Sequence, residues 1–343
     1  MQALYYPAWD RLEMRDVPEP KPNTGEVVLR VLAAGICGSE LHGFVAHAAR
    51  RTPPLIMGHE FSGEVAEVGH GVKEFKVGEI VVASSQIACG HCEYCLDAEV
   101  QLCRNGEVFG TKRPGAFAEK VAVPVTTLMP LPKGVTPIQA ALAEPLGNAI
   151  HVVRLTQQRF PEVAVVLGAG TIGLFVLQVL KASGALRVLV SDVSDARLVV
   201  AKRLGADVTV NAKQGDIIAA AKDASGGRGA DVVVDAVGAT ATRRAAITAA
   251  RPGGEVVWLG LHDDPTDLSG FDVVLREKHV TGSFAVTHRD MRSALHLFAA
   301  GKINIEPWVK TFPLAEGARV FRQLVTAPPD DYIKAVLVPN GTR

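Results

Sequence analysis

The sequence predicts an α/β protein in two parts, a compact irregular β barrel and a doubly wound parallel sheet. Three observations carry this expectation. Up to about residue 147, short runs rich in β-branched residues are separated by glycine and proline turns. From Val163 to Phe284, short apolar strands alternate with helical stretches. The first of those strands runs into Gly168-Ala169-Gly170-Thr171-Ile172-Gly173, a glycine loop that opens a helix.

Taken in order, residues 1 to about 35 read as β. Glu26–Ala34 is the clearest strand there, after the punctuation of Pro18, Pro20, Pro22 and Gly25. Gly63–Gly69, Val77–Ala83 and Gly115–Val123 are further short strands between glycines. The second rhythm has strands at Val163–Leu167, Arg187–Ser191, Val208–Val210, Val232–Asp235, Glu255–Leu259 and Val280–Phe284, with helices over Thr171–Ser183 and about Ser194–Leu204. The tail adds helices over Asp290–Ala300 and Ala315–Leu324 and a last strand, Ile333–Val338. It is expected to pack back on the barrel, so that 1–147 with 287–343 forms one domain and 148–286 the other.

Composition excludes several function classes. The 343 residues are too many for one small domain, and 48% hydrophobic with 21% charged residues is ordinary globular material. Lys+Arg and Asp+Glu are 36 each, so neither a basic nucleic-acid face nor a membrane-binding arm is expected. Residues Met1 to Tyr6 lack a basic n-region, and apolar runs such as Leu174–Leu180 stop well short of a membrane span, so the expected location is cytoplasmic.

The glycine loop sits where a dinucleotide would bind. Gly168 permits the tight turn, Gly170 lets a pyrophosphate approach the backbone, and Gly173 lets helix and strand pack closely. The helix begins at Thr171 and Ile172, and its free N–H groups face the phosphates. Asp192 lies 19 residues after Gly173, at the end of the second strand. A carboxylate there accepts hydrogen bonds from ribose hydroxyls and repels a 2′-phosphate, which favours NAD over NADP. Arg197 either flanks the adenine or helps hold a phosphate.

Two groups of residues have metal-ligand chemistry. Cys89, Cys92, Cys95 and Cys103 follow the spacing C-x2-C-x2-C-x7-C, which can wrap a tetrahedral zinc and leaves it no open position. That is a structural site, and His91 inside it reads as a loop residue. Cys37, the remaining cysteine, stands in Cys37-Gly38-Ser39-Glu40-Leu41-His42, a loop away from Gly58-His59-Glu60. Thiolate, imidazole and carboxylate are the mixed ligand set of a catalytic zinc with a position open for substrate. Glu144 is an acid in an otherwise apolar stretch, costly to bury unless it meets a cation, so it joins the candidates.

These segments together, with Glu144-Pro145 and the glycine loop, resemble the zinc-dependent medium-chain alcohol dehydrogenases over nearly the whole chain. Within that family the sequence is similar to the sorbitol (polyol) and threonine dehydrogenase branch. The resemblance implies a GroES-like β-barrel catalytic domain, a Rossmann NAD-binding domain, and a homotetramer or homodimer. It implies Cys37, His59 and Glu60 around a catalytic zinc, with Glu144 as an exchangeable fourth ligand or the holder of a zinc-bound water. It implies Ser39 as the hydroxyl beside the substrate oxygen and His42 as the relay to solvent. Glu40 stands where the family usually has aspartate supporting the liganding histidine. Gly238, Gly260 and Phe284 are implied to line the nicotinamide end.

The expected activity is hydride transfer from a secondary alcohol, a polyol or sugar alcohol, to NAD. L-threonine 3-dehydrogenase is the alternative enzyme, and a catalytically inactive cofactor-binding protein of the same fold is the alternative of another class. Arg50 and Arg51, ahead of Pro53-Pro54, could meet an anionic substrate, but two solvated loop arginines are the expectation.

Overall fold

The computed structural model describes residues 1–158 and 160–339 and divides the chain into two compact units. The first comprises Met1–Gly147, Val286–Ala300 and the chain from Trp308 onward; the second comprises Asn148–Ala285 and Gly301–Pro307. The sequence grouped everything after 287 with the barrel. Gly301–Pro307 instead belongs to the second unit, where the Asn304 N–H donates to the side-chain oxygen of Gln178 at 2.7 Å. Gln178 is buried, and this bond satisfies its carbonyl oxygen.

In the first unit the strand Glu26–Gly35 is central. It pairs with Glu60–Val68, Lys120–Pro124 and Lys334–Val338, all antiparallel. Beyond them lie Ile80–Ala83 and Leu128–Pro130 on one side and Val309–Pro313, parallel to Lys334–Val338, on the other. A three-stranded sheet of Arg11–Asp16, Gln2–Ala8 and Leu55–Ile56 adds to it. The core between them includes Leu4, Leu29, Phe61, Phe109, Phe117 and Leu337. Two irregularities in the Glu26–Gly35/Glu60–Val68 register bend this pair, as a small closed β structure needs.

The expected strand Gly115–Val123 is shorter, Lys120–Pro124. Its first residues pair elsewhere: Gly115, Ala116 and Phe117 donate their N–H groups to Ile56, Gly58 and Met57. This ladder grips the backbone on which His59 and Glu60 follow. The helix Ala143–Leu155 carries Glu144 in its first turn and Pro145 next to it, where a missing N–H costs nothing.

The second unit is a six-stranded parallel sheet in the order Val208–Asn211, Arg187–Asp192, Val163–Leu167, Ala230–Asp235, Ala250–Trp258, His279–Gly282. The order reverses beside Val163–Leu167, so its C-terminal end is the switch point at which such sheets bind ligands. Among the described residues no helix is long and apolar enough to cross a membrane.

Two glycines of the loop play different parts. A Cβ on Gly173 would lie 1.8 Å from the Gly168 carbonyl oxygen, whereas one on Gly170 would meet nothing within 4 Å. Gly173 is therefore required by the fold, and Gly170 is free for a ligand's approach. Gly173→Ala is expected to cost roughly 2–4 kcal/mol of stability. Gly170→Ala is expected to leave the urea midpoint within error of the parent; equal losses for both variants would refute this assignment.

Candidate active site and metal centres

Cys37, His59 and Glu60 each offer a ligand atom within 4.8 Å of the others. They come from a helix entry and from the start of a strand. Cys37 precedes the helix Gly38–Val45, and Glu60 opens the strand Glu60–Val68. Glu40 ties the two together. One carboxylate oxygen accepts the Cys37 N–H at 2.9 Å; the other accepts the Gly58 N–H and the His59 Nδ1–H, each at 2.8 Å. Glutamate is long enough to reach all three donors. Burial raises the Glu40 carboxyl, but the charges and hydrogen bonds of His59, the Arg51 charge and the Cys37 N–H hold it below the usual range. His59 is pushed down by burial and held well above the ordinary histidine value by the Glu40 and Cys37 charges. With Nδ1 donating to Glu40, Nε2 is the nitrogen left for a metal.

Glu60 is buried beside Lys334, whose Nζ lies 2.5 Å from Oε2 and donates to the Ile36 carbonyl at 2.8 Å. The contact is ionic; Oε2 accepts no aligned hydrogen bond. Space for this pair comes from Gly35, where a Cβ would lie 2.2 Å from Oε2. A thiolate, a free imidazole nitrogen and a buried carboxylate oxygen without an aligned donor fit a zinc ion. Glu144 is not part of this close set. It is buried, and its Oε1 accepts the Ser85 hydroxyl at 2.8 Å. Burial raises its pKa; His59, Ser85 and Lys334 oppose this while the Glu60 charge adds to it. Glu144 thus shares the electrostatic field of the triad.

Ser39 Oγ stands 3.3 Å from the Cys37 sulfur and accepts a hydrogen bond from Arg51 Nη2 at 3.1 Å. His42 is exposed on the next turn, and among the described residues no hydrogen bond joins it to Ser39. Arg50 reaches solvent, as expected, but Arg51 does not: it is 3% exposed. Gly43 opens the slot that holds it, since a Cβ there would lie 3.1 Å from Arg51 Cδ. The expectation of two solvated arginines is corrected for Arg51. Lys334 and Ser85 were also missed. Only a charged residue inside the apolar run Ile333–Val338 could have signalled the lysine.

The four remaining cysteines converge. Cys92 and Cys95 sulfurs are 3.4 Å apart, and Cys89–Cys95 and Cys92–Cys103 are each 3.8 Å apart. All are free thiols. Sulfurs around a tetrahedral zinc with bonds of about 2.3 Å stand roughly 3.8 Å apart, so the set fits. Backbone hydrogen bonding, chiefly at Cys95, pulls the Cys92 thiol down to about 6, while burial and the neighbouring sulfurs push Cys95 up to about 12. His91 is not in the cluster; its Nδ1 lies 2.8 Å from the Cys89 carbonyl oxygen.

In the second unit, Gly168 has φ +95°, and the helix Thr171–Ala182 starts directly after Gly170. Asp192 ends its strand and braces the loop: Oδ2 accepts the Ala169 N–H at 2.7 Å and Oδ1 the Ser194 N–H at 2.9 Å. Arg197 Nη1 is 4.0 Å from Oδ2. Gly238 and Gly260 face one another, for a Cβ on Gly238 would lie 2.0 Å from the Gly260 carbonyl oxygen. A close backbone crossing is thus sufficient reason for both glycines. Asp235, which sequence reading passed over, fixes that turn by accepting the Val237 and Gly238 N–H groups at 2.9 Å. Phe284 is about half exposed.

Residues 23–133 match the family described as alcohol dehydrogenase GroES-like domain, and residues 171–300 the family described as zinc-binding dehydrogenase. The chain is 36% identical to L-threonine 3-dehydrogenase of Pyrococcus horikoshii, over 86% of each chain. It is 33% identical to D-arabitol-phosphate dehydrogenase of Enterococcus avium, over 93% of this chain and 92% of that one. A zinc-binding dehydrogenase of Sinorhizobium meliloti, solved bound to NADP, superposes with a TM-score of 0.91 at 31% identity, over 98% of this chain and 99% of that one. With both metal-ligand sets in place on this fold, the chain belongs to the zinc-dependent medium-chain alcohol dehydrogenases, in their polyol and threonine dehydrogenase branch.

Proposed function

We propose that the protein oxidises a secondary alcohol with NAD at a zinc held by Cys37, His59 and Glu60. The observation that carries this is the convergence of those three side chains, tied together by one buried acid, Glu40. The substrate is a polyol or sugar alcohol; L-threonine is the second reading, favoured by the 36% identity to a threonine 3-dehydrogenase. A small-molecule alcohol is the partner in either case, and the working form is a homodimer or homotetramer in the cytoplasm.

Zinc supplies a Lewis acid for the substrate hydroxyl, and NAD supplies the hydride acceptor. The chain's own residues do the rest. Glu40 fixes the His59 ring so that Nε2 points to the metal. Lys334 offsets the charge of Glu60 and holds its carboxylate in place. Ser39 Oγ, steadied by Arg51, would take the substrate's hydroxyl proton while giving up its own toward solvent, where the exposed His42 stands to accept it through water. Glu144 adjusts the field at the metal, directly or through a water. In the second unit the N–H groups at Thr171 and Ile172 bind the pyrophosphate, and Asp192 accepts the ribose hydroxyls. Arg197 flanks the adenine, and the backbone at Gly238 and Gly260, with Phe284, borders the nicotinamide.

Metal analysis separates the two centres. The purified protein is expected to hold about two zinc per chain. His59→Ala should lose about one of them and nearly all turnover, and should melt lower because the buried Glu40 carboxylate loses a donor. Cys95→Ser should lose the other and unfold at lower temperature. A single zinc, lost only on unfolding, would remove the catalytic centre from this reading. An intact metal complement with no turnover on any polyol, sugar phosphate or threonine would make the protein a silent cofactor-binding relative.

Coenzyme choice tests Asp192. Its substitution by alanine is expected to raise KM for NAD by about tenfold or more and to affect NADP far less. Equal use of both coenzymes by the parent protein would show that the carboxylate does not read the ribose.

A further inference from the structure

Arg51 is 3% exposed, yet among the described residues only its Nη2 has a partner, the Ser39 hydroxyl. Nε and Nη1 are buried without a hydrogen bond. Among the described residues no carboxylate lies within 4.0 Å of it; the acid whose charge it feels, Glu40, instead accepts from Cys37, Gly58 and His59. A buried cation with two idle nitrogens is costly and calls for an explanation. Its side chain lies against Gly43 and reaches Ser39, which stands beside the Cys37 sulfur. Arg50 precedes it in the same one-turn helix, Ala49–Arg51, and reaches solvent. Partial burial and the Arg51 charge depress the Arg50 guanidinium, while the nearby Cys37 charge opposes this. Arg51 is thus the guanidinium fixed at Ser39, and Arg50, the next residue back along the chain, carries a second positive charge on the solvent side.

We infer that Arg50 and Arg51 form an anion receptor beside Ser39, and that the natural substrate carries a carboxylate or phosphate close to the carbinol that is oxidised. This rests on the proposed oxidation at the Cys37, His59 and Glu60 zinc and narrows its substrate class. Arg50 supplies the accessible, fork-shaped donor set for the anion. Arg51 supplies a fixed charge behind it, held by packing and not by a carboxylate. An anion held by Arg50 and drawn by the Arg51 charge would lie near the Ser39 hydroxyl. A neutral polyol would leave both charges uncompensated. Two of the similar proteins are named for substrates with such a group, threonine and arabitol phosphate.

The test uses the full-length, zinc-loaded enzyme with NAD. kcat/KM is measured for matched pairs: L-threonine against its amide, and arabitol phosphate against arabitol. The anionic member of one pair is expected to be preferred by about a hundredfold, and the pair that shows it identifies carboxylate or phosphate as the group recognised. Arg50→Gln and Arg51→Gln should each reduce that ratio about tenfold or more, whatever happens to the neutral substrate. A ratio near one in the parent overturns the inference, as does a ratio unchanged in the variants; the latter would leave Arg51 as a support for Ser39 alone. Arg50 is exposed, so its variant keeps the test decisive where Arg51→Gln fails to fold. Calorimetric binding of inorganic phosphate, with NAD present, is read independently of turnover. Phosphate binding weakened in Arg50→Gln sustains the receptor even where no alcohol is oxidised, and that pattern would locate the failure in the catalytic reading. No difference in phosphate binding between parent and variants, with no ratio to measure, overturns the receptor itself.

Discussion

The buried carboxylate of Glu40 accepts hydrogen bonds from the Cys37 backbone, the Gly58 backbone and the His59 ring, and the first unit's chemistry depends on this arrangement. A carboxylate out of water is costly unless its lone pairs are used, and here three donors use them. The bonds cross from a helix start to a strand start. They set the distance from Cys37 to His59 and the ring orientation of His59 together. Removing the acid would free two backbone donors and the ring at once. The effect would reach metal affinity through geometry, the usual route by which residues behind the ligands act. The glycines around it fit the same constraint. Gly58, at φ +104°, turns the chain so that its own N–H reaches Glu40 and His59 follows.

The two cysteine-bearing centres obey different rules because their donors come from different distances along the chain. Cys89, Cys92, Cys95 and Cys103 lie within 15 residues and need only a short loop and two single-turn helices to meet. Four sulfurs close the coordination sphere, so that site can only hold its lobe together. The other centre takes one donor from before a helix, one from just before a strand and one from that strand's first residue, and three donors leave room. Openness there follows from the number of ligands the fold brings in.

Legibility in the sequence divides along the same line. The convergence of the four cysteines, the glycine turn into a helix and the place of Asp192 at its strand's end were readable because they are set by spacing within a few tens of residues. The strand rhythm gave the six parallel strands, since fully buried strands such as Val163–Leu167 are continuous apolar runs. Gly115–Val123 was read too long because its alternation could not show that Gly115 to Phe117 pair with Ile56 to Gly58. The partner of Lys334 was invisible for the same kind of reason. The lysine's ammonium meets the Ile36 carbonyl 298 residues away, and its place inside an apolar run marks it as unusual without naming that partner. Arg51 was misjudged because loop arginines are usually solvated, and only the packing against Gly43 shows otherwise.

Lys334 and Arg51 show how the pocket tolerates so many buried charges. Lys334 is compensated inside the protein, by Glu60 and a carbonyl, and burial fails to depress it because the Glu60, Cys37 and Glu40 charges outweigh that penalty. Its charge offsets that of the Glu60 carboxylate, a candidate metal ligand, from the strand Lys334–Val338. Arg51 is compensated only in part, through Ser39 and the field of Glu40. One cation therefore faces a carboxylate of the candidate metal centre, and the other has charge to spare beside the Ser39 hydroxyl. The asymmetry follows from where carboxylates are supplied: Glu60 stands opposite Lys334, and among the described residues none stands opposite Arg51. A site that had only to hold zinc would need the first cation and not the second.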